Sequence, residues 1–349
     1  MFDVAVIGAG MAGLVCAQQL AQAGYSVVVV EKSRGLGGRI ATRRLHGTCA
    51  DHGLRYLEPK CQMLQQLVQV LCDRHLLQVW TDIDYQRSPD QLLLKPGTLS
   101  PRYVAPAGMS AIAKFLARGL EVWLNQRVKA IAPTTSNSWR LTLESTNTDS
   151  TVETPQALTA KALVVAIPAP QALMLLQPLV ETVLPAQFLD KLRSVEFDPC
   201  LSVIAGYPAQ MDQPAWKAVT FIDDPSLSWI GLDSSKRMVA GQSPVFVVHS
   251  SAEFANRYLE AQDLHPAGHD LLTRAAECLQ PWLDTPDWMQ VHRWRYAFPR
   301  RPWHEAYLSA PTPLPLVCCG DWCGGNQVES AGISGLEAAL AIISIPNRD

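Results

Sequence analysis

The stretch VAVIGAGMAGL, residues 4–14, sets glycines at positions 8, 10 and 13 behind a Val/Ile-rich run. Glycines at this spacing do phosphate chemistry through the main chain. Gly8 allows a tight turn, Gly10 lets a pyrophosphate approach the backbone, and Gly13 lets a following helix pack closely on a sheet. The phosphates then meet the free N–H groups and positive dipole end of that helix. Glu31 lies 18 residues beyond Gly13. A carboxylate there suits an adenosine ribose 2′-hydroxyl and repels a 2′-phosphate. The reading without a nucleotide is a tight structural turn.

A second glycine pair follows in EKSRGLGGRIATRR, where Gly37 and Gly38 precede Arg39. Arg39 can make charge-assisted, bidentate bonds to phosphate oxygens. A domain that holds only NAD has no need of this second grip. The far end carries LPLVCCGDWCGGNQVESAGISGLEAALAII, with Gly320–Asp321 and then Gly332 and Gly335. This block reads as a strand, a loop, and a helix beginning near Ser330–Gly332 and running through Ala341.

These residues require elements to hold them. Phe2 to Ile7 reads as a buried parallel strand, Met11 to Gln22 as a helix closed by Gly24, and YSVVVVEKS as a second strand. Together they make a βαβ unit. Residues 102–132 read as a loop, a helix at Gly108–Leu116 and a strand at Glu121–Ile131. KALVVAIPAPQ, from Lys161, reads as a buried strand into a Pro-rich turn. Between them, WRLTLESTNTDSTVETPQ predicts hairpin strands with a Ser/Thr-rich turn.

Composition narrows the classes. The chain has 349 residues, a net charge of −3, 48% hydrophobic and 17% charged residues. That predicts two domains, or one with a large insertion, around sizeable cores. The short basic cluster ATRRLHG does not amount to a nucleic-acid surface. No removable leader is expected before Phe2. The apolar run QALMLLQPLVETVL is too short and too polar to span a bilayer. Nine scattered cysteines without a secretory signal predict a reducing, cytoplasmic setting and small buried thiols. No metal site is expected, since no C-x-x-C occurs and Cys319 and Cys323 lack a second ligand pair.

GAGMAG, Glu31 and GGR together resemble the FAD-binding signature of the flavin amine oxidase superfamily. The resemblance implies an α/β fold: a Rossmann-type, glutathione-reductase-like FAD domain with an inserted mixed-sheet (α+β) substrate domain, as in amine oxidases and p-hydroxybenzoate hydroxylase. Residues 1–56, 101–171 and 293–349 would form the FAD domain, and 57–100 and 172–292 the substrate domain. By the same resemblance, non-covalent FAD sits on Gly8, Gly10, Met11, Ala12, Gly13, Glu31, Lys32, Gly38 and Arg39. The backbone at Val128 contacts adenine, and Gly320 and Asp321 hold the ribityl or phosphate end. Backbone N–H groups around Gly332 and Ile333 face the flavin N1/O2 edge, where a helix N-terminus favours negative charge.

Further blocks narrow the resemblance. ADHGLRYLEP, WIGLDSSKR, VVHSSAEFANRYLE and VHRWRYAFP are similar to blocks of bacterial renalase-like proteins in the same order. Leu54 and Arg55 replace the Ala-Gln pair of that pattern. The resemblance implies an oxidase of 2- and 6-dihydro isomers of NAD(P)H. Hydride passes to flavin N5 and O2 becomes H2O2, chemistry governed by positioning and water exclusion. Asp51, His52, Gly53, Leu54 and Arg55 would line the flavin.

Several roles stay open. His52 either bonds flavin or substrate, or is a structural histidine on a backbone carbonyl. Arg55 either binds a donor phosphate or carboxylate, or is a solvated surface arginine. Trp294, Arg295 and Tyr296 either wall the pocket or pack in the core, and Trp322 is a further flank for the flavin. Covalent flavin attachment would involve Cys318, Cys319 or Cys323. The expected partners are a small nicotinamide nucleotide and O2, with no nucleic acid or membrane, in a monomer or weak dimer. The alternatives are an amine oxidase or desaturase acting on another donor, and a flavin-binding redox sensor with weak activity.

Overall fold

Strand β1 (Phe2–Ile7), helix α1 (Met11–Gln22) and strand β2 (Val27–Val30) form the expected βαβ unit. A computed structural model of the chain describes residues 1–83, 85–88, 95–96, 100–147, 156–180, 182–237 and 243–345. β1 and β2 are parallel, pairing Val4 with Val27 through Ile7 with Val30. Val4, Val6, Val27 and Val29 enter one core, while Ala5, Ile7, Val28 and Val30 enter another on the opposite face. Cover on both faces explains why these strands read as unbroken apolar runs. Next come a short hairpin, β3 (Arg43–Leu45) and β4 (Thr48–Ala50), and helix α2 (Gln62–Asp73).

Among the described residues, the first sheet has eight strands. Its pivot is β5 (Ala157–Val165), which lies parallel to β1 along one edge. On the other edge, the first half of β5 pairs antiparallel with Trp139–Ser145 and its second half pairs parallel with Leu316–Cys318. This brings the C-terminal block one strand away from β1. The predicted Ser/Thr-rich turn at 148–155 lies outside the described residues. The expected strand Glu121–Ile131 is two strands, Glu121–Trp123 and Gln126–Pro133, broken at Asn125 with φ +56°. The break brackets Glu31: its N–H donates to the Trp123 carbonyl at 2.9 Å, and Gln126 N–H donates to the Glu31 carbonyl at 2.9 Å. The helix expected from Gly108 starts at Ser110, because Gly108 has φ +98°.

Among the described residues, the second sheet has seven strands. Four matter for the site: β6 (Glu196–Gly206), β7 (Leu227–Leu232), β8 (Val245–Ser250) and β9 (Trp288–Arg301). They run antiparallel in the order β9, β6, β8, β7. One face carries Leu201, Val203, Phe246, Val248 and Ile230 under the helix His265–Cys278. The other face presents a cross-strand row, His292–Ser202–His249–Trp229. Residues directly opposed in such ladders share a face.

Leu64, Val68 and Leu71 of α2 join a core that holds Val4 and Leu14 from the first sheet's side and Ile204 and Val247 of the second sheet. The helices Ala169–Leu176 and Ala186–Arg193 add Leu176, Phe188 and Leu192 to the core on the first sheet's other face. The first part of 293–349 lies in β9, within the second sheet. Short amphipathic segments show which face they bury but not which sheet receives it.

The C-terminal helix α3 (Val328–Ile343) starts ahead of the predicted Ser330–Gly332. It packs closely along α1. A Cβ on Gly335 would lie 2.2 Å from the Ala12 carbonyl oxygen, and one on Gly13 would lie 2.0 Å from the Gly8 carbonyl oxygen. Among the described residues, no helix is long and apolar enough to cross a membrane.

Candidate functional site

A cavity of about 1200 Å3 runs from the glycine loop of β1 to the inner face of the second sheet. It exceeds the roughly 300–1,000 Å3 usual for a small-ligand site, which leaves space for a dinucleotide and a second molecule.

At one end lie Glu31, Lys32, Ser33 and Arg34. Glu31 is buried, and its carboxylate accepts Ala9 N–H and Ser33 N–H at 2.8 Å each. A carboxylate has about four acceptor sites, so two remain for hydroxyls. Next to it, Gly10 is the N-cap of α1, with no side-chain cap and no acidic residue in the first turn. The helix therefore keeps free N–H donors there. A Cβ built on Gly10 meets nothing within 4 Å. The second glycine loop closes on the first: Gly37 N–H donates to the Ala9 carbonyl at 2.9 Å, and Gly38 lies against Gly10. Met11 and Ala12 also line this part. Gly13 does not line the cavity; it serves helix–strand packing.

Arg39 and Asp321, both expected on the cofactor, also hold each other. The guanidinium donates from Nη1 to Oδ2 at 2.6 Å and from Nη2 to Oδ1 at 2.8 Å. Nη1 also reaches the carbonyls of Tyr296 and Ala297 at 3.2 Å. Burial pushes the Asp321 carboxyl up against the downward pull of Arg39. Gly320 N–H donates to Ser334 Oγ at 2.9 Å, tying this loop to α3.

The far end is roofed by β9. Its alternation puts His292, Trp294 and Tyr296 on one face, and all three line the cavity with Arg295. His52 stacks on Trp294 (5.2 Å, 26°) and meets His292 edge-on at 4.9 Å. Trp294 Nε1 donates to the His52 carbonyl at 2.9 Å. His52 is therefore held by its backbone and by ring contacts, and its own Nδ1 is buried without a hydrogen-bond partner. Burial, His292 and Arg43 together bring His52 down to about 3. Burial and Arg43 bring His292 down to about 4. Both rings are neutral at pH 7. Gly53 is fixed against Arg39, whose carbonyl oxygen accepts Leu54 N–H at 2.8 Å and would lie 2.0 Å from a Gly53 Cβ.

Arg55 is neither solvated nor free. It donates from Nε to His249 Nδ1 at 3.1 Å and from Nη2 to Ser228 Oγ at 3.2 Å, and it lies over the Trp229 ring at 5.1 Å. Since His249 Nδ1 accepts, its proton sits on Nε2. Burial and Arg55 hold His249 well below the ordinary histidine range.

Next to His52, Asp51 is fully buried in a four-charge cluster that ties the end of the β3–β4 hairpin to the turn after β7. Arg237 reaches Asp51 at 2.9 Å and Asp233 at 2.7 Å, while Lys236 reaches Asp233 at 2.7 Å and Asp51 at 3.5 Å. Thr42 Oγ1 and Met109 N–H also donate to Asp51, at 2.6 and 2.8 Å. Burial raises the Asp51 carboxyl, but the two cations and these donors outweigh it, so it sits below its usual range.

Several expected positions do not line the cavity. The Val128 side chain packs in the core with Val28 and Val30; the adenine contact expected of this residue is its backbone's, and that packing does not bear on it. Gly332 and Ile333 lie in the second turn of α3, where N–H groups close i→i−4 bonds. The free N–H groups of the first turn belong to Val328, Glu329 and Ser330, and Val328 and Glu329 line the cavity. Gly332 instead makes room for the Met63 side chain, which would lie 2.3 Å from a Cβ. Trp322 is fully buried and donates from Nε1 to the Ile167 carbonyl at 3.1 Å. Cys318, Cys319 and Cys323 are buried and do not reach the cavity.

Sequence reasoning passed over Arg43, His249 and His292, all of which line the cavity. His292 was available from strand alternation with Trp294. Arg43 stood inside ATRRLHG, weighed only as a basic cluster, and His249 carries no local signal.

The residues present fit a flavin dinucleotide. The open space at Gly10, the uncapped α1, the paired glycine loops and the spare Glu31 acceptors supply phosphate and ribose contacts. Residues 6–71 match the NAD(P)-binding Rossmann-like domain. Residues 77–343 match the flavin containing amine oxidoreductase family. The chain belongs to that family, and FAD is the cofactor that the family and this fold imply.

Individual likenesses are narrower. The AofH protein of Mycobacterium tuberculosis, assigned as a flavin-containing monoamine oxidase, is 44% identical over 57 residues, 16% of this chain and 13% of that protein. L-amino-acid oxidase of Crotalus adamanteus is 39% identical over 66 residues, 19% of this chain and 13% of that protein. The chain thus matches only about an eighth of the length of these curated relatives. Among solved structures, putrescine oxidase with bound putrescine superposes with a TM-score of 0.69 at 15% identity, covering 98% of this chain and 99% of that one. Cyclohexylamine oxidase from Brevibacterium oxydans superposes at 0.66 and 15% identity, covering 98% of each chain. These structures establish the fold.

Proposed function

We propose that the chain is an FAD-dependent oxidase of small anionic donors, and that its donors are dihydronicotinamide isomers, the 2- and 6-dihydro forms of NAD(P)H. Two electrons and a proton leave the donor as hydride, and O2 with two protons becomes H2O2. Bound FAD supplies the two-electron acceptance. Gly8, Gly10, Glu31, Gly38 and Arg39 would hold it, with Asp321 paired to Arg39.

The supporting observation is the charge of the cavity wall. Among the described residues, ten lysines and arginines line it against four carboxylates, in a chain of net charge −3. Each of the four carboxylates already has a partner within the protein. Glu31 accepts two backbone N–H groups, and Asp321 is clasped by Arg39. Glu329 accepts from Lys60 N–H and Cys61 N–H, and Glu58 pairs with Lys60 at 3.6 Å. Such a wall favours phosphate-bearing donors over cationic amines.

The protein's share is orientation and exclusion of water. Trp294 and the neutral rings of His52 and His292 offer a flat wall with hydrogen-bond capacity but no ready proton. The test is peroxide release from the FAD-loaded protein with aged NADH, which contains the isomers, beside a panel of amines. The proposal expects peroxide with aged NADH. Peroxide from the amines alone would refute it.

A further inference from the structure

We propose that Arg43, with His52 and His292 beside it, forms an oxyanion-binding corner at the second-sheet end of the cavity, and that this corner takes a phosphate group of the donor. The inference deepens the functional reading and rests on it for the donor's identity, but the corner itself can be tested without turnover.

The hairpin places Arg43. β3 pairs Arg43 with Ala50 of β4, and the hairpin tip is braced where His46 stacks on Trp288 of β9 at 4.5 Å and 24°. Arg43 then lines the same cavity as His52 and His292. Its Nε is buried with no hydrogen-bond partner, and so is His52 Nδ1. Among the described residues Arg43 has no ion pair; the nearby carboxylate, Asp51, is committed to Arg237 and Lys236. Both histidines register the Arg43 charge as a pull away from protonation.

A half-buried cation facing two imidazoles with no counter-charge is electrostatically unfavourable. An oxyanion relieves it: a guanidinium fork matches phosphate, and neutral imidazoles can donate N–H to it. Arg55, the arginine the sequence singles out, does not meet this need. Its Nε and Nη2 are spent on His249 and Ser228.

The test uses FAD-loaded protein, inorganic phosphate as the probe, and the flavin difference spectrum as the readout. Wild type should give a saturable change. Arg43→Met should weaken phosphate roughly ten- to a hundredfold, and Arg43→Lys should fall between, since it keeps the charge but loses the fork. With donors, Arg43→Met should raise KM for the reduced nicotinamide mononucleotide isomers by a similar factor. KM for the corresponding nucleosides, which lack phosphate, should change less than twofold. Equal phosphate affinity in wild type and Arg43→Met would overturn the proposal, as would no phosphate response in wild type. Loss of bound FAD from both variants, with circular dichroism unchanged, would assign Arg43 to the cofactor instead and also overturn it. If no dihydronicotinamide is oxidised, the functional reading falls, and the phosphate titration still decides the corner.

Discussion

Arg39 clasps Asp321 with both arms of its guanidinium, at 2.6 and 2.8 Å, across 282 positions of chain. The pair fastens the second glycine loop to the loop that follows Leu316–Cys318. It sets the two halves of the proposed FAD site in register before any ligand is considered. Asp321→Ala should lower unfolding free energy by about 1–3 kcal/mol and reduce the flavin-to-protein ratio. Arg39→Ala should do the same. The double variant should lose less than the two singles combined, because contacting partners couple. Urea unfolding of the four proteins checks this; additive losses would show that the pair is incidental.

Gly10 and Gly13 stand three residues apart but carry different burdens. A Cβ at Gly10 enters open space, and its φ of −79° suits alanine. A Cβ at Gly13 meets the Gly8 carbonyl oxygen at 2.0 Å. Gly10→Ala should therefore leave the melting temperature of the FAD-free protein nearly unchanged and cut FAD occupancy severely. Gly13→Ala should push α1 off β1 and lower both. Thermal melts of stripped protein, paired with flavin reconstitution, separate the two effects.

The depressed histidines predict an acid-side loss of stability. His52 sits at about 3 and His292 at about 4 in the fold, against 6.5 for an ordinary histidine. Between about pH 6.5 and 4 the unfolded chain binds protons that the native state refuses, so stability falls as pH falls through that window. Above pH 6.5 these groups contribute no slope. His52→Gln and His292→Gln should each flatten the dependence of melting temperature on pH between 4.5 and 6.5. The profile of kcat/KM should show no inflection near 6.5 from either ring.

The cluster of Asp51, Asp233, Lys236 and Arg237 predicts a large single-site effect. Both carboxylates and Lys236 are fully buried, and removing one member leaves an uncompensated charge. Lys236→Met should cost about 3–5 kcal/mol in urea unfolding. It should also speed amide exchange at Leu54, whose N–H is held by the Arg39 carbonyl at 2.8 Å one loop away from Asp51. A loss below 1 kcal/mol would mean the cluster adjusts without Lys236.

The part of this site legible in the sequence is the part built by backbone rules. Gly8, Gly10, Glu31, Gly38, Arg39 and Asp321 announce themselves because glycine turns and strand ends leave fixed spacings, and all line one cavity. Helix starts were less legible: nothing in QVESAGI marks Val328 as the first helical residue, since Gln327 provides no side-chain cap. That shift is why Gly332 and Ile333 were expected where Val328 and Glu329 lie. Arg55 lines the cavity, but its partners are not legible locally: His249 and Ser228 stand 194 and 173 residues away and meet it only through sheet register. The row His292–Ser202–His249–Trp229 has the same origin. Four strands supply one residue each, so no local pattern contains it.

The central claim is that this cavity oxidises phosphate-bearing dihydronicotinamides and not cationic amines. The most direct measurement is anaerobic rapid mixing of the FAD-loaded protein with the purified 2- and 6-dihydro isomers of NADH, and separately with putrescine, while following flavin absorbance. The account predicts fast bleaching by the isomers, recovery of colour with stoichiometric H2O2 when air is admitted, and no bleaching by putrescine. Bleaching by putrescine with none from either isomer would contradict it.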